Sequence, residues 1–163
     1  MGVDVGRARI GVARTDPDGL IATPVETVAR VTTGTADVDA ILGHVLELDA
    51  LEIVVGLPLS LSGGDTLSTA DARAFAATLA ARGTVPVRLV DERLSTVSAQ
   101  GALRASGRKG RSQRSVIDQV AAVIIVQHAL DLERSSGRPP GHLVGAPGTD
   151  DGSGALPDPD EGR

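Results

Sequence analysis

The apolar segments of this chain follow one another in an order that few folds share. Two short runs rich in β-branched residues stand near the start, and strand-like runs then alternate with helix-like ones. A hairpin followed by such alternation favours one mixed sheet with helices packed on its faces. The length of 163 residues suits one domain with a full hydrophobic core. We therefore expect a single α/β domain.

Local periodicity predicts the individual elements. A strand over 20–28 should be weaker and lie at an edge, because Pro24 cannot donate to a ladder. With it, strands are predicted from Val3 and over 9–14, 51–57 and 86–90, which makes a five-stranded sheet. Helices are predicted over 37–48, 66–82, from Ser95 or Thr96 to Ala105, and over 112–133.

Composition excludes several function classes. The chain has one Phe and neither Trp nor Tyr, so the core must be aliphatic and stacking of bases on aromatic side chains is nearly excluded. Without Cys there are no disulfides, thiolate metal sites or cysteine nucleophiles. The start shows no basic region followed by an apolar run, so we expect a cytoplasmic protein with no membrane partner.

The last part of the chain differs in composition from the rest. Residues 135–163 are rich in Gly, Pro, Ser and Asp, which predicts a disordered acidic tail after a domain spanning 1–134. Much of the net charge of −5 lies in this tail. The stretch 104–114 carries five basic residues and no acidic one, so a polyanionic partner remains compatible with the acidic total.

Asp4 stands between two valines in the first predicted strand. A buried charge is costly unless it is paired or bound to a metal. A second interpretation is that Asp4 lies at the carboxyl end of the strand and caps the turn at Gly6. This stretch alone leaves both interpretations open.

Two further acidic sites follow similar logic. Asp91 and Glu92 come directly after a strand, where ligands of open α/β sheets gather, although a solvated strand end is the plainer interpretation. Asp118 lies within an apolar helical stretch, where it could instead pair with Arg114 on the surface. Three carboxylates from these elements suit a Mg²⁺ or Mn²⁺ site for phosphodiester cleavage, in which two ions lie about 3.5–4 Å apart.

Four segments, MGVDVGRARIGVARTDPDGLIATPVETV, VVGLPLSLSGG, VDERLSTVSAQ and VIDQVAAVIIVQ, resemble the YqgF family in order and spacing. These bacterial proteins are similar to Holliday junction resolvases and are described as nucleases that process the 5′ end of pre-16S ribosomal RNA. The resemblance implies a ribonuclease H-like fold for residues 1–134. It also implies that Asp4, Glu92 and Asp118 are the catalytic, metal-binding acids.

Asp91 competes with Glu92 for the second acidic position. Alternation along the strand points the two side chains to opposite faces, and we expect Glu92 to be the ligand. The family usually has several residues before GVDVG, so either the true start lies upstream of Met1 or the first strand is weaker than in relatives.

Basic and hydroxyl side chains near these acids are candidates for binding substrate phosphates. They are Arg7, Arg9, Arg93, Ser95, Thr96, Lys109 and Arg111. For Lys109 and Arg111 a solvated linker is the alternative interpretation.

The expected function is therefore metal-dependent nuclease action on structured RNA, most plausibly pre-rRNA, by a monomer or weak homodimer. A resolvase of branched DNA is one alternative, and it requires a stable dimer. A catalytically idle RNA-binding assembly factor is another. The Asp-Val-Gly hairpin also resembles the phosphate loop of actin-like ATPases, but 134 residues are too few for their two domains.

Overall fold

The computed structural model describes residues 1–94 and 111–145. Its strands are β1 (Gly2–Val5), β2 (Arg9–Thr15), β3 (Ala22–Ala29), β4 (Ile53–Leu57), β5 (Val87–Asp91) and β6 (His142–Leu143), and its helices are α1 (Ala36–Glu47), α2 (Leu67–Arg82) and α3 (Arg111–Ser136). A 3₁₀ turn, Glu92–Leu94, follows β5.

The strands form one mixed sheet in the order β3-β2-β1-β4-β5-β6. β1, β2 and β3 make an antiparallel meander, and β4 and β5 run parallel to β1. β3 lies at an edge of the sheet, as its proline predicts. The mixed α/β sheet predicted from the order of the elements is confirmed.

Each face of the sheet carries its own apolar layer. Val3, Val5 and the alternate residues of the other central strands pack with α1 and α2 in the main core. On the opposite face, β2 and the amino end of β3 meet α3 through a cluster that includes Ala13 and Ala122, and β4 and β5 meet it through Val54 and Ile125. Period-2 alternation in the strands therefore decides which helix each side chain meets.

The two shorter helices match their sequence signals closely. Thr66 caps α2 and forms a reciprocal pair of hydrogen bonds with Thr69, which satisfies two amide groups of the first turn. Gly83 ends α2, and α1 begins one residue before its predicted start.

Helix α3 packs unusually close to the sheet. A Cβ on Gly2 would lie 2.7 Å from the Ala122 carbonyl oxygen, and one on Gly11 would lie 1.9 Å from that of Asp118. Residues Ser115–Ser136 are long and apolar enough to pass a length-and-composition test for a membrane span. The buried residues Ala122, Ile125, Val126 and Ala129 pack on the sheet, and a core helix passes the same test.

The sheet has six strands rather than the predicted five, and the correction comes from the segment expected to be a disordered tail. α3 continues to Ser136, and His142–Leu143 then pairs antiparallel with β5. The amide of Val144 donates to the carbonyl of Val87 at 2.8 Å. Residues 135–145 are therefore ordered because this segment forms backbone hydrogen bonds with the outer edge of β5. The predicted helix from 95 or 96 to 105 lies outside the described residues.

Candidate active site

Asp4 lies on the face of β1 that α3 covers. It shares this face with Gly2, which contacts α3, while Val3 and Val5 belong to the main core on the other face. Asp4 is half-buried and stands opposite Gly11 of β2. Asp4 is therefore the polar residue on the α3-facing side of β1, while the valines on either side of it face the main core.

Asp118 reaches the same place from α3. Because Gly11 has no side chain, the backbone of Asp118 rests directly on β2 at this residue. Gly11 is also the residue that pairs with Asp4 of β1. Two hydrogen bonds hold this turn of α3 to β3: Thr27 Oγ1 donates to the Ser115 carbonyl at 2.7 Å, and Gln119 Nε2 donates to Thr27 Oγ1 at 3.1 Å. The helix is therefore anchored to β3 at Ser115, three residues before Asp118, and at Gln119, the residue after it.

Glu92 enters from the 3₁₀ turn after β5. A Cβ on Gly56 of β4 would lie 2.4 Å from Glu92 Oε1 and 2.5 Å from Ile125 Cδ1, so the glutamate lies over Gly56 against α3. The register of β1 and β4, extended by one residue, places Asp4 beside Gly56. Asp4, Glu92 and Asp118 consequently share one face of the sheet.

Asp91 faces the other way. It is in register with Leu57, a residue of the main core, and Arg93 Nη2 donates to its Oδ2 at 2.7 Å. These hydrogen bonds from Arg93 hold the pKa of Asp91 below its ordinary value. The structure thus separates the two neighbouring acids as strand alternation predicts, and the assignment of Glu92 as a metal ligand stays a prediction.

The carboxylates do not yet form a metal-binding group. Arg9 Nε donates to Asp118 Oδ2 at 2.6 Å, so one of the three is already bound to a cation. Within residues 1–94 and 111–145, no three His, Asp or Glu side chains are grouped so that they could hold a metal ion. The oxygen donors suit a hard divalent cation chemically, but their present arrangement does not fit one.

Comparison with known proteins adds the family. The model of the RuvX family, described as Holliday junction resolvase, matches residues 1–132. The chain belongs to the RuvX (YqgF) family. This agrees with the resemblance carried by the four sequence segments.

Relatives of this RuvX-family chain carry a consistent name. A protein of Clavibacter michiganensis subsp. michiganensis is 67% identical over 144 residues, covering 88% of this chain and 89% of the relative. One of Leifsonia xyli subsp. xyli is 58% identical over 144 residues, covering 88% and 92%. Both are named "Putative pre-16S rRNA nuclease".

A solved structure of Thermus thermophilus RuvC in complex with a Holliday junction substrate has the same fold. Its TM-score is 0.50 at 15% sequence identity, and the match covers 85% of this chain and 96% of that one. The ribonuclease H-like fold expected for the RuvX family is therefore confirmed.

The predicted phosphate contacts are only partly described. Arg7 is exposed in the β1–β2 turn, whereas Arg9 is bound to Asp118 rather than extended to solvent. Arg93 is bound to Asp91 and also lies beside Gly63, where a Cβ would be 3.1 Å from Nη1. Ser95 and Thr96, together with Lys109 and the side chain of Arg111, lie outside the described residues.

Three residues that shape this site, Gly11, Gly56 and Arg30, were not identified from the sequence. Gly11 and Gly56 clear the strand surface for Asp118 and Glu92, and an isolated glycine within a strand was the available signal for them. Arg30 had no such signal. It bonds both oxygens of Asp71 at 3.0 Å and the carbonyl of Gly6 at 3.2 Å, which ties the β1–β2 turn to α2.

A groove of about 1080 Å³ lies elsewhere on the molecule. It opens near Met1 and Val54, at the opposite end of β1 and β4 from Asp4, and Asp49, Glu52 and Glu133 are among its lining residues. Asp4, Glu92 and Asp118 do not line it. The three candidate acids are therefore separate from this groove.

Proposed function

We propose that this chain is a nuclease that hydrolyses phosphodiester bonds of structured RNA, with the 5′ end of pre-16S rRNA as its substrate. One observation carries the proposal: Asp4, Glu92 and Asp118 come from three separate elements to one face of the sheet. Gly11 and Gly56 lie beneath Asp118 and Glu92 and leave room for these two residues on that face. Acidic oxygen donors collected in this way suit phosphodiester hydrolysis assisted by a divalent cation.

The relatives supply the substrate part of the proposal. Proteins sharing 67% and 58% identity over 144 residues, 88% of this chain, are named for pre-16S rRNA. We assign the same substrate to this chain and place it in the cytoplasm, where precursor rRNA is made.

Magnesium or manganese is the proposed cofactor. Such an ion would supply an activated water and stabilise the leaving oxygen. Asp4, Glu92 and Asp118 are the residues proposed to hold it, once Asp118 is available. The exposed Arg7 and the Arg93 guanidinium are proposed to hold the RNA backbone beside them, which gives affinity without reading sequence.

A four-way DNA junction is the second candidate substrate. The description of the RuvX family and the fold shared with RuvC favour it. Resolution of a junction requires two strand cuts, so this candidate also requires a stable homodimer with two active sites. A monomer or weak dimer in solution favours the RNA.

The test is a cleavage assay with Mg²⁺ or Mn²⁺, comparing a 5′-extended pre-16S RNA with a four-way DNA junction. We expect the RNA to be cut and Asp4→Asn to abolish cutting. Asp131→Asn is the matched control, because it removes one charge from an exposed position of α3 and should leave cleavage unchanged. Light scattering on the same samples gives the oligomeric state.

Different results lead to different functions. Cleavage of the junction alone, by a stable dimer, replaces the RNA nuclease with a resolvase. Cleavage that Asp4→Asn leaves intact places the activity at another site or in a contaminant. If neither nucleic acid is cut with either metal, an RNA-binding assembly factor replaces the nuclease.

A further inference from the structure

The groove at the amino ends of β1 and β4 has an apolar floor and apolar residues at its rim. Val54, Val126 and Ala129 line it and are buried. Ile21 and Leu51 also line it, yet these two residues are 62% and 87% exposed. Large apolar side chains exposed together mark a surface that binds another molecule.

Exposed apolar residues are concentrated at this end of the molecule. Among the described residues, seven large apolar ones are exposed. Ile21 and Leu51 line the groove, and Leu20 and Leu46 each adjoin a lining residue in the chain. The other three are Leu61, Leu67 and Val116. One exposed leucine is ordinary, but four apolar residues around one groove indicate a docking surface.

The rim of the groove is acidic. Five acidic residues line it against two arginines, and the acids are Asp16, Glu47, Asp49, Glu52 and Glu133. Glu52 forms an ion pair with Arg88. Asp49 and Glu133 are exposed, and no ion pair joins either of them to another residue in the described part of the chain. The groove therefore presents negative charge that the chain itself leaves unpaired.

Two helix ends add to this charge. Helix α1 ends at Glu47, and Glu133 lies in the last turn of α3. The carboxyl end of a helix carries partial negative charge, which favours basic side chains there and disfavours acidic ones. Helix stability therefore does not explain the acid at position 133, whereas binding of a cationic partner does.

Charge also decides which molecule can occupy the groove. Residues 146–163 continue the chain from this end of the sheet, and they contain five acidic residues and one basic residue. Nucleic acid is a polyanion, and a second copy that placed the same groove against this one about a twofold axis would oppose acid with acid. Like-charge repulsion disfavours all three occupants.

We propose that the groove binds a basic segment of a partner protein. Lys or Arg side chains of the segment pair with Asp49 and Glu133, and its apolar side chains cover Ile21 and Leu51. Apolar burial supplies affinity, and charge complementarity selects the partner. The groove lies at the opposite end of β1 from Asp4, so the inference does not depend on the proposed nuclease function.

The experiment measures binding of a fluorescein-labelled peptide to the full chain by fluorescence anisotropy. The peptide consists of lysine and leucine in the pattern of an amphipathic helix. We expect saturable binding that weakens as the salt concentration rises, since the paired charges are exposed to solvent. The same peptide with glutamate in place of every lysine should not bind.

Two pairs of variants locate the binding site. Glu133→Lys should weaken binding about tenfold, whereas Asp65→Lys makes the same charge change at an exposed position beyond the carboxyl end of β4 and should leave binding unchanged. Leu51→Ser should also weaken binding about tenfold through lost apolar burial. Its control is Leu61→Ser, because Leu61 is 96% exposed but lies away from the groove. Circular dichroism checks that each variant is folded.

Several results would overturn the proposal. Equal weakening by Glu133→Lys and Asp65→Lys would show that net charge alone attracts the peptide. Unchanged binding to both Glu133→Lys and Leu51→Ser would place the peptide elsewhere. Wild-type dimers that Leu51→Ser dissociates, measured by light scattering, would make a second copy the occupant. Tighter peptide binding after removal of residues 146–163 would make that segment the occupant instead.

Discussion

At the scale of single residues, the candidate site depends on the missing side chain of Gly11 as much as on the acidic side chains. Asp4 was visible in the sequence as a charge between valines, and its partner Gly11 was visible as a glycine inside a strand. Their relation was not, because it depends on the backbone of Asp118, more than 100 residues away. A glycine is needed at position 11 because α3 rests on the strand there, leaving no room for a Cβ.

Gly11→Ala should therefore destabilise the protein. Its Cβ would meet the Asp118 carbonyl at 1.9 Å, and neither backbone can yield without moving α3. We expect a loss of about 3 kcal/mol in the free energy of unfolding, at the upper end for overpacking. Urea denaturation followed by circular dichroism measures it.

Gly43→Ala is the matched control for this substitution. Gly43 lies within α1 with nothing within 4 Å of its added Cβ, so alanine should stabilise by about 1 kcal/mol through helix propensity. A destabilisation as large as that of Gly11→Ala would show that glycine removal, rather than the contact with α3, is responsible.

At the scale of elements, the end of β5 shows how one strand serves two faces. Asp91 and Glu92 are neighbours in the chain, yet Asp91 is bound by Arg93 and Glu92 lies over Gly56. Strand alternation was enough to expect this separation. The partner of Asp91 is close in the sequence, since Arg93 is only two residues away.

The Asp91–Arg93 pair predicts a pH dependence of stability. Because Arg93 lowers the folded-state pKa of Asp91, the pair stabilises the protein above the ordinary pKa of aspartate, and this is lost as pH falls through the lowered value. Between about pH 5 and pH 2, wild type should lose more stability than Asp91→Asn does. Urea melts across this range measure the difference.

The partner variant completes this test. Arg93→Gln removes the side-chain hydrogen bonds but keeps the backbone amide of residue 93 as a donor to Asp91, so it should flatten the acid side of the profile less than Asp91→Asn does. Asp16, whose pKa is lowered by the amides of Ile21 and Leu20, keeps some acid sensitivity in every variant. An Asp91→Asn profile parallel to that of wild type would contradict the role of this pair.

At the scale of the whole molecule, the return of the chain along β5 alters where the domain ends. Composition predicted disorder from residue 135, but Gly141, with φ +71°, turns close against Leu89 and lets β6 cover the edge strand. Covering an edge removes a row of unpaired backbone groups. The isolated apolar residues Leu143 and Val144 were too few to reveal a strand by pattern.

Two truncations test this boundary. Ending the chain after Ser136 removes β6 and should lower the free energy of unfolding by about 1–2 kcal/mol, from a few lost hydrogen bonds. It should also increase self-association through the open edge. Ending the chain after Gly145 keeps β6 and should change neither quantity, as chemical denaturation and light scattering can show. Equal stability of both truncations would mean that β6 contributes nothing.

Within the described residues, the sequence by itself determined the order and type of the elements from β1 to α3, the aliphatic core and the three candidate acids. Each of these depends on local periodicity and on residue chemistry, which neighbours along the chain reveal. Only the tertiary structure decided that Arg9 holds Asp118, that Arg30 ties the first turn to α2, and that the chain returns beside β5. These contacts join residues far apart in the chain, and their geometry exists only once α3 packs on the sheet.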